Sequence, residues 1–308
     1  MTGLITKVIV VGGGGNLGRY IVSAFDTDPR FTVSILSRYS SCASFPPQIT
    51  VHRTSENYNE PELVDILRDQ DAVVCTIATS KISQQKLIID AATKARVKRF
   101  VPSEFGHDTR NEQAGEMAPF LFKTKKKIVE YLRTKEKEGL SWTAFVTGPL
   151  FEMQPTVENR AVQNFLGYSI LKRQAMILNG GANHWSTTTL NTVALAVQNA
   201  MLAPERTANR YLFIESFRVS QNDILALLEY MSGTPWDTIH CDAEEEKRLA
   251  LESLSKGELR GMPALMRYVT CIKGFGGHYM EYEESANDLL SMPNESLHEV
   301  VRAILQSG

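Results

Sequence analysis

Residues 7–11, Lys-Val-Ile-Val-Val, run without a break into Gly12-Gly13-Gly14-Gly15-Asn16-Leu17-Gly18. A short, apolar, β-branched run is the pattern of a strand buried on both faces. Beyond the glycines, Leu17, Ile21, Val22 and Phe25 recur at the spacing of a helix with one buried face. The run holds both G-x-x-G-x-x-G (Gly12, Gly15, Gly18) and G-x-G-x-x-G (Gly13, Gly15, Gly18). Between a buried strand and a helix, such a turn brings bare main-chain N–H groups and the positive helix end to a pyrophosphate. Gly12, Gly15, Asn16, Leu17 and Gly18 are therefore the residues expected against a dinucleotide. No Gly-Lys-Ser/Thr follows, which excludes a Walker loop.

Strand and helix signals alternate from there. Residues 31–36, 72–77, 99–102 and 142–146 read as strands, and 60–68, 83–95 and 119–138 as helices, the last opening at Pro119. Alternation of this kind calls for right-handed crossovers and helices on both faces of the sheet. The expected fold is α/β: a Rossmann-type doubly wound, mainly parallel sheet over residues 1–153. A smaller, interlocked C-terminal region over 154–308 is expected to bind substrate. There residues 175–178 and 210–214 read as strands, and helices are expected over 192–202 and from Ser220, Asp242 and Ser296.

The second strand bears on which dinucleotide binds. NAD sites usually place Asp or Glu about 20 residues beyond the glycines. Here the strand ends Leu36-Ser37-Arg38, with no acid behind it, and Arg38 lies 20 residues after Gly18. A guanidinium there suits the extra phosphate of NADP(H), which it can grip with paired hydrogen bonds. Thr76, at the end of a later strand, is expected beside the same ligand.

A net charge of −2 gives no electrostatic footprint for nucleic acid, and no apolar stretch is long enough to span a membrane. The scattered Cys42, Cys75, Cys241 and Cys271 form no CxxC pair and, with no signal-peptide pattern at the start, suggest a cytoplasmic protein with reduced thiols. No metal site and no G-x-S-x-G elbow is evident.

Arg99-Phe100-Val101-Pro102-Ser103-Glu104-Phe105-Gly106 resembles the RFxPSEFG segment of isoflavone-reductase-like and NmrA-like proteins, atypical short-chain dehydrogenases/reductases. The glycine turn, Ser37-Arg38, the helix with Gln85, and Thr147-Gly148-Pro149-Leu150-Phe151 fall in matching places, so the resemblance covers residues 5–155 well. It implies an NADP-dependent reductase in which a lysine of a K-x-K context, here Lys123, binds the nicotinamide ribose and assists proton transfer. Ser103 and Pro149 are then expected near the cofactor. Tyr131 and Lys135 have the Y-x-x-x-K spacing of ordinary short-chain dehydrogenases. Tyr131, however, lies about 18 Å along a helix that starts at Pro119, too far from the sheet edge, and reads as a helix-face aromatic.

Phe105, Phe151, Met153, His184 and Trp185 are the expected walls of a pocket for an aromatic or conjugated substrate. His107 is a candidate acid/base, and Gly274-Phe275-Gly276-Gly277-His278 a candidate lid. Monomer and homodimer are both open. Two rival functions stand beside a reductase of secondary metabolism: a non-catalytic NADP-binding redox sensor of the NmrA type, and an isomerase that keeps its cofactor without net redox.

Overall fold

The computed structural model describes residues 4–152 and 166–307. Seven parallel strands form the main sheet, in the order β3-β2-β1-β4-β5-β6-β10. They are β1 (Lys7–Val11), β2 (Thr32–Arg38), β3 (Thr50–Thr54), β4 (Ala72–Cys75), β5 (Arg99–Val101), β6 (Ser141–Val146) and β10 (Arg210–Phe213). Five strands of the C-terminal region make two small sheets: β8 (Gln174–Leu178) between β7 (Tyr168–Ser169) and β12 (Asp237–Cys241), and β9 (His184–Thr187) paired with β11 (Phe217–Ser220).

Five helices cover the main sheet. On one face α1 (Gly18–Asp26) and α6 (Leu190–Leu202) pack over Val8, Val10, Ile35, Val74 and Phe145. On the other, α2 (Glu60–Leu67), α3 (Gln85–Lys94) and α5 (Phe122–Lys135) bury Ile9, Val11, Val73 and Trp142. Alternate β1 residues thus serve opposite cores, as the period of a strand requires. The strand order reverses at β1, between β2 and β4, and that switch point is where ligands enter open α/β sheets.

Three departures from the sequence reading matter for the site. Residues 118–121 form a turn, and α5 begins at Phe122 instead of Pro119, after the short helix α4 (Glu112–Met117). The edge strand β3 was not foreseen. The boundary at 153/154 does not separate two bodies: α6 and β10 come from beyond it yet complete the main sheet and its cover. Buried Arg99 fastens that corner, its guanidinium donating to Ser141 Oγ (2.8 Å), Thr143 Oγ1 (2.6 Å), Thr207 Oγ1 (3.0 Å) and the Pro204 carbonyl.

Beyond the sheet, α8 (Gln221–Ser232), α9 (Ala243–Ser255), α10 (Met262–Cys271) and α11 (Leu297–Ser307) belong to the C-terminal region, whose core gathers Phe151, Trp185, Phe217 and Tyr268. Among the described residues no helix is long and apolar enough to cross a membrane, and no group of His, Cys, Asp and Glu could hold a metal.

Candidate active site

Two cavities open at the carboxyl ends of the strands. The first, about 250 Å³, lies over the β1–α1 turn. Gly12 has φ +86°, and a Cβ there would sit 2.9 Å from the Thr76 carbonyl oxygen. The Gly15 N–H closes the turn onto the Gly12 carbonyl at 2.9 Å. A Cβ on Gly18 would come within 2.2 Å of that same oxygen, so only glycine lets α1 start so close to the turn. Thr76 Oγ1 bonds the Val11 and Gly12 carbonyls at 3.0 and 3.1 Å, which ties β4 to the turn. Asn16 is exposed and does not line this cavity, and Leu17 buries its side chain at the N-cap of α1.

Arg38 ends β2 and lines the cavity's far wall. Its guanidinium lies 3.2 Å from Glu56, which also accepts a hydrogen bond from Ser40 Oγ. Arg53, its guanidinium over the Phe45 ring, donates to Ser37 Oγ and the Arg38 carbonyl and so fixes the loop. The glycine cradle and the half-exposed arginine suit a dinucleotide with an added phosphate.

The second cavity, about 180 Å³, has apolar walls from Phe105, Leu121, Phe122, Leu150 and Met266, with Lys125 and His107 as its ionisable groups. Residues 76–78 line the first cavity and Thr79 the second, so one segment after β4 joins them. Lys125 Nζ donates to the Glu104 carbonyl oxygen. Burial lowers its pKa, against the pull of the Glu104 carboxylate. That carboxylate accepts from Thr109 Oγ1 at 2.6 Å; burial raises its pKa, with Lys125 and Thr109 opposing.

Burial, with the Lys125 charge behind it, pushes His107 down to about 4, so the ring is neutral near pH 7. The Thr270 hydroxyl donates to the Met266 carbonyl at 2.8 Å and lies 2.8 Å from His107 Nε2. Its proton being committed, Thr270 accepts from the ring. This assigns the Nε2–H tautomer from the network and leaves Nδ1 as an acceptor.

The structure separates the two lysines of the K-x-K context. Lys123 is nearly half exposed, pairs with Glu116 at 2.7 Å, and lines neither cavity. Lys125 holds the interior position; the signal was its register with Phe122, Ile128, Val129 and Leu132, the buried face of α5. Tyr131 hydrogen-bonds Asp90 at 2.6 Å, away from both cavities. Ser103 is buried, its hydroxyl donating to the Ile77 carbonyl and its N–H to Gln85 Oε1, each at 2.9 Å. It braces the joining segment and lines neither of these two cavities.

Pro149 and Phe105 line the second cavity, Phe105 stacked on Phe145. Phe151 packs edge-on to Phe217, and Trp185 is wholly buried in the same C-terminal core. His184 is exposed, 3.4 Å from Asp223, on a different cavity. None of these three lines the second cavity: Phe151 and Trp185 pack into the C-terminal core, and His184 faces the other space. Met153 lies outside the described residues.

The comparisons with known proteins agree with this architecture. Residues 5–241 match the NmrA-like family model. The oxidoreductase aprR of Aspergillus flavus is 54% identical over 300 residues, covering 97% of this chain and 99% of its own. A crystal structure of isoflavone reductase superposes with a TM-score of 0.77 at 21% identity, over 97% of this chain and 99% of that one. The structure of AtPrR2 with NADP+ and (+)-pinoresinol gives 0.77 at 20% identity, over 98% and 99%. With a match spanning most of its length, the chain belongs to the NmrA-like family.

Proposed function

We propose that the protein is a cytoplasmic, NADPH-dependent reductase of an aromatic or conjugated small molecule, working with Lys125 as its proton-handling group. One observation carries this reading: a single segment links a glycine cradle ending in Arg38 to an apolar cavity ending in a desolvated lysine. The 54% identical relative is named an oxidoreductase, and a fold neighbour holds NADP+ with an aromatic ligand, which supports the same reading.

In this assignment Gly12, Gly15 and Gly18 allow the main chain to hold the pyrophosphate, and Arg38 holds the added phosphate. The bound nicotinamide supplies hydride. Phe105, Phe122, Leu150 and Met266 exclude water and seat a flat, apolar substrate. Lys125 gives or takes a proton at Nζ, its low pKa bringing it nearer the working pH. His107 Nδ1 accepts a hydrogen bond from a substrate hydroxyl. The reduced, unpaired cysteines suit the proposed compartment.

Stoichiometric loss of NADPH absorbance with a reduced product, across a panel of enones and aryl ethers, is the expected result. Product formed at constant absorbance would establish isomerisation instead, and tight NADP binding without turnover would establish a sensor. Arg38→Ala should weaken NADPH roughly 10–100-fold by removing charge-assisted hydrogen bonds, and leave NADH nearly unchanged. Equal losses for both would remove Arg38 from the phosphate site.

A further inference from the structure

A third cavity, about 490 Å³, with a lining distinct from the other two, lies between residues 182–184 and the glycine-rich run 273–278. Its chemistry is unlike theirs. His278 donates its Nδ1–H to the Glu281 carboxylate at 3.1 Å, while its Nε2 is buried with no hydrogen-bond partner among the described residues. A buried ring nitrogen without a partner costs free energy unless something fills the gap.

Lys273 lines the same space, is exposed, and forms no ion pair among the described residues; Arg218 lines it too, held on one side by Glu215 at 2.8 Å. Gly276 and Gly277 are buried in the wall, and their N–H groups donate to no described acceptor. Against these donors the wall offers a single carboxylate, Glu281, already engaged by His278. The acceptors nearby are spent: Asn111 Nδ2 donates to the Gly274 carbonyl, Asn183 Nδ2 to that of Cys271, and Tyr282 to that of Gly276.

The glycine run is also not free space for a lid to swing through. Ser186 N–H donates to the Gly277 carbonyl at 3.0 Å, and a Cβ on Gly277 would sit 2.1 Å from the Thr270 carbonyl oxygen. The wall is built and rich in unused donors. We propose that this cavity is a second ligand site, which takes a small molecule through a carboxylate or phosphate oxyanion, with Lys273 and Arg218 as its cations and His278 Nε2 as a further donor once the bound anion brings a proton to the ring. Its size suits a compact organic acid or phosphate ester. Thr270 lines it and also bonds His107 of the candidate active site, so the two spaces share a wall.

The test uses the full chain saturated with NADP+, which occupies the phosphate-binding turn, titrated separately with benzoate and with inorganic phosphate. Saturable binding of either, tighter than ~10 mM and accompanied by a shift of the His278 imidazole NMR signals, is expected; which probe binds tells carboxylate from phosphate. Lys273→Ala, at an exposed position that the fold does not need, should weaken it about tenfold, the loss of one charge-assisted contact. His278→Asn, which keeps the Nδ1-side contact to Glu281, should weaken it similarly. Arg38→Ala should leave it unchanged. No saturable binding of either probe, or binding that survives both Lys273→Ala and His278→Asn, overturns the proposal.

Discussion

Lys123 and Lys125 stand two positions apart on α5, which turns their side chains about 200° from one another. One meets Glu116 and solvent, the other an apolar cavity. Lys125→Ala should therefore lower kcat by about 10²–10⁴, the range of general acid–base catalysis, while Lys123→Ala stays within about twofold. Steady-state kinetics on both variants decides between them. The pH profile follows from the sign of the shift. A proton donor works while protonated, so turnover holds below the lowered pKa of Lys125 and falls above it, at a pH below the ~10.4 of a free lysine. A decline at or above that value would count against Lys125. Glu56 makes a second residue-scale case: its carboxylate occupies Arg38, the proposed partner of the added phosphate. Glu56→Gln should tighten NADPH by about 2–5-fold, the worth of an exposed ion pair, with NADH unaffected in calorimetric titration.

At the scale of elements, the β1–turn–α1 unit was legible because three signals agree there: a β-branched run, glycines, and a helical apolar stripe. Gly18→Ala should break that agreement. The added methyl meets the Gly12 carbonyl at 2.2 Å, so the variant should lose dinucleotide affinity and about 1–3 kcal/mol of stability in urea unfolding, the usual cost of overpacking. The strands β4, β5 and β6 read equally well, being buried on both faces. β3 did not, since Thr50-Val51-His52-Arg53-Thr54 is a half-polar edge strand with no continuous apolar run. The start of α5 was misjudged because Pro119 suits a first helical turn, yet the chain at 118–121 makes a separate turn. The candidate site inherits that difference: the motif marks both lysines of this helix, and only its buried face shows which one turns inward. The strands β9 and β11, which carry Trp185 and Phe217, are four residues each, too short for periodicity to reveal.

For the molecule as a whole, the joint between its halves is polar and partly buried. Glu152, just past β6, accepts the Leu190 N–H at 2.8 Å at the head of α6, and burial raises its pKa to about 7. A carboxyl whose pKa rises on folding stabilises fully below its unfolded value, near 4.5, and loses that contribution as pH climbs through 7. Glu152→Gln, always neutral, should exceed the parent in stability above pH ~7 by no more than roughly 3 kcal/mol, and match it below pH ~4.5. Thermal unfolding across that span checks the crossover; a difference independent of pH would clear Glu152 of the role. The corner held by Arg99 has a further consequence. Its bonds to Thr207 and Pro204 reach forward to the segment that delivers β10, the strand that flanks β6. During synthesis, then, the nucleotide-binding layer waits with one bare hydrogen-bonding margin and an interior guanidinium short of two of its acceptors until residue 213 has left the ribosome, and a chain cut at 153 would never heal that margin.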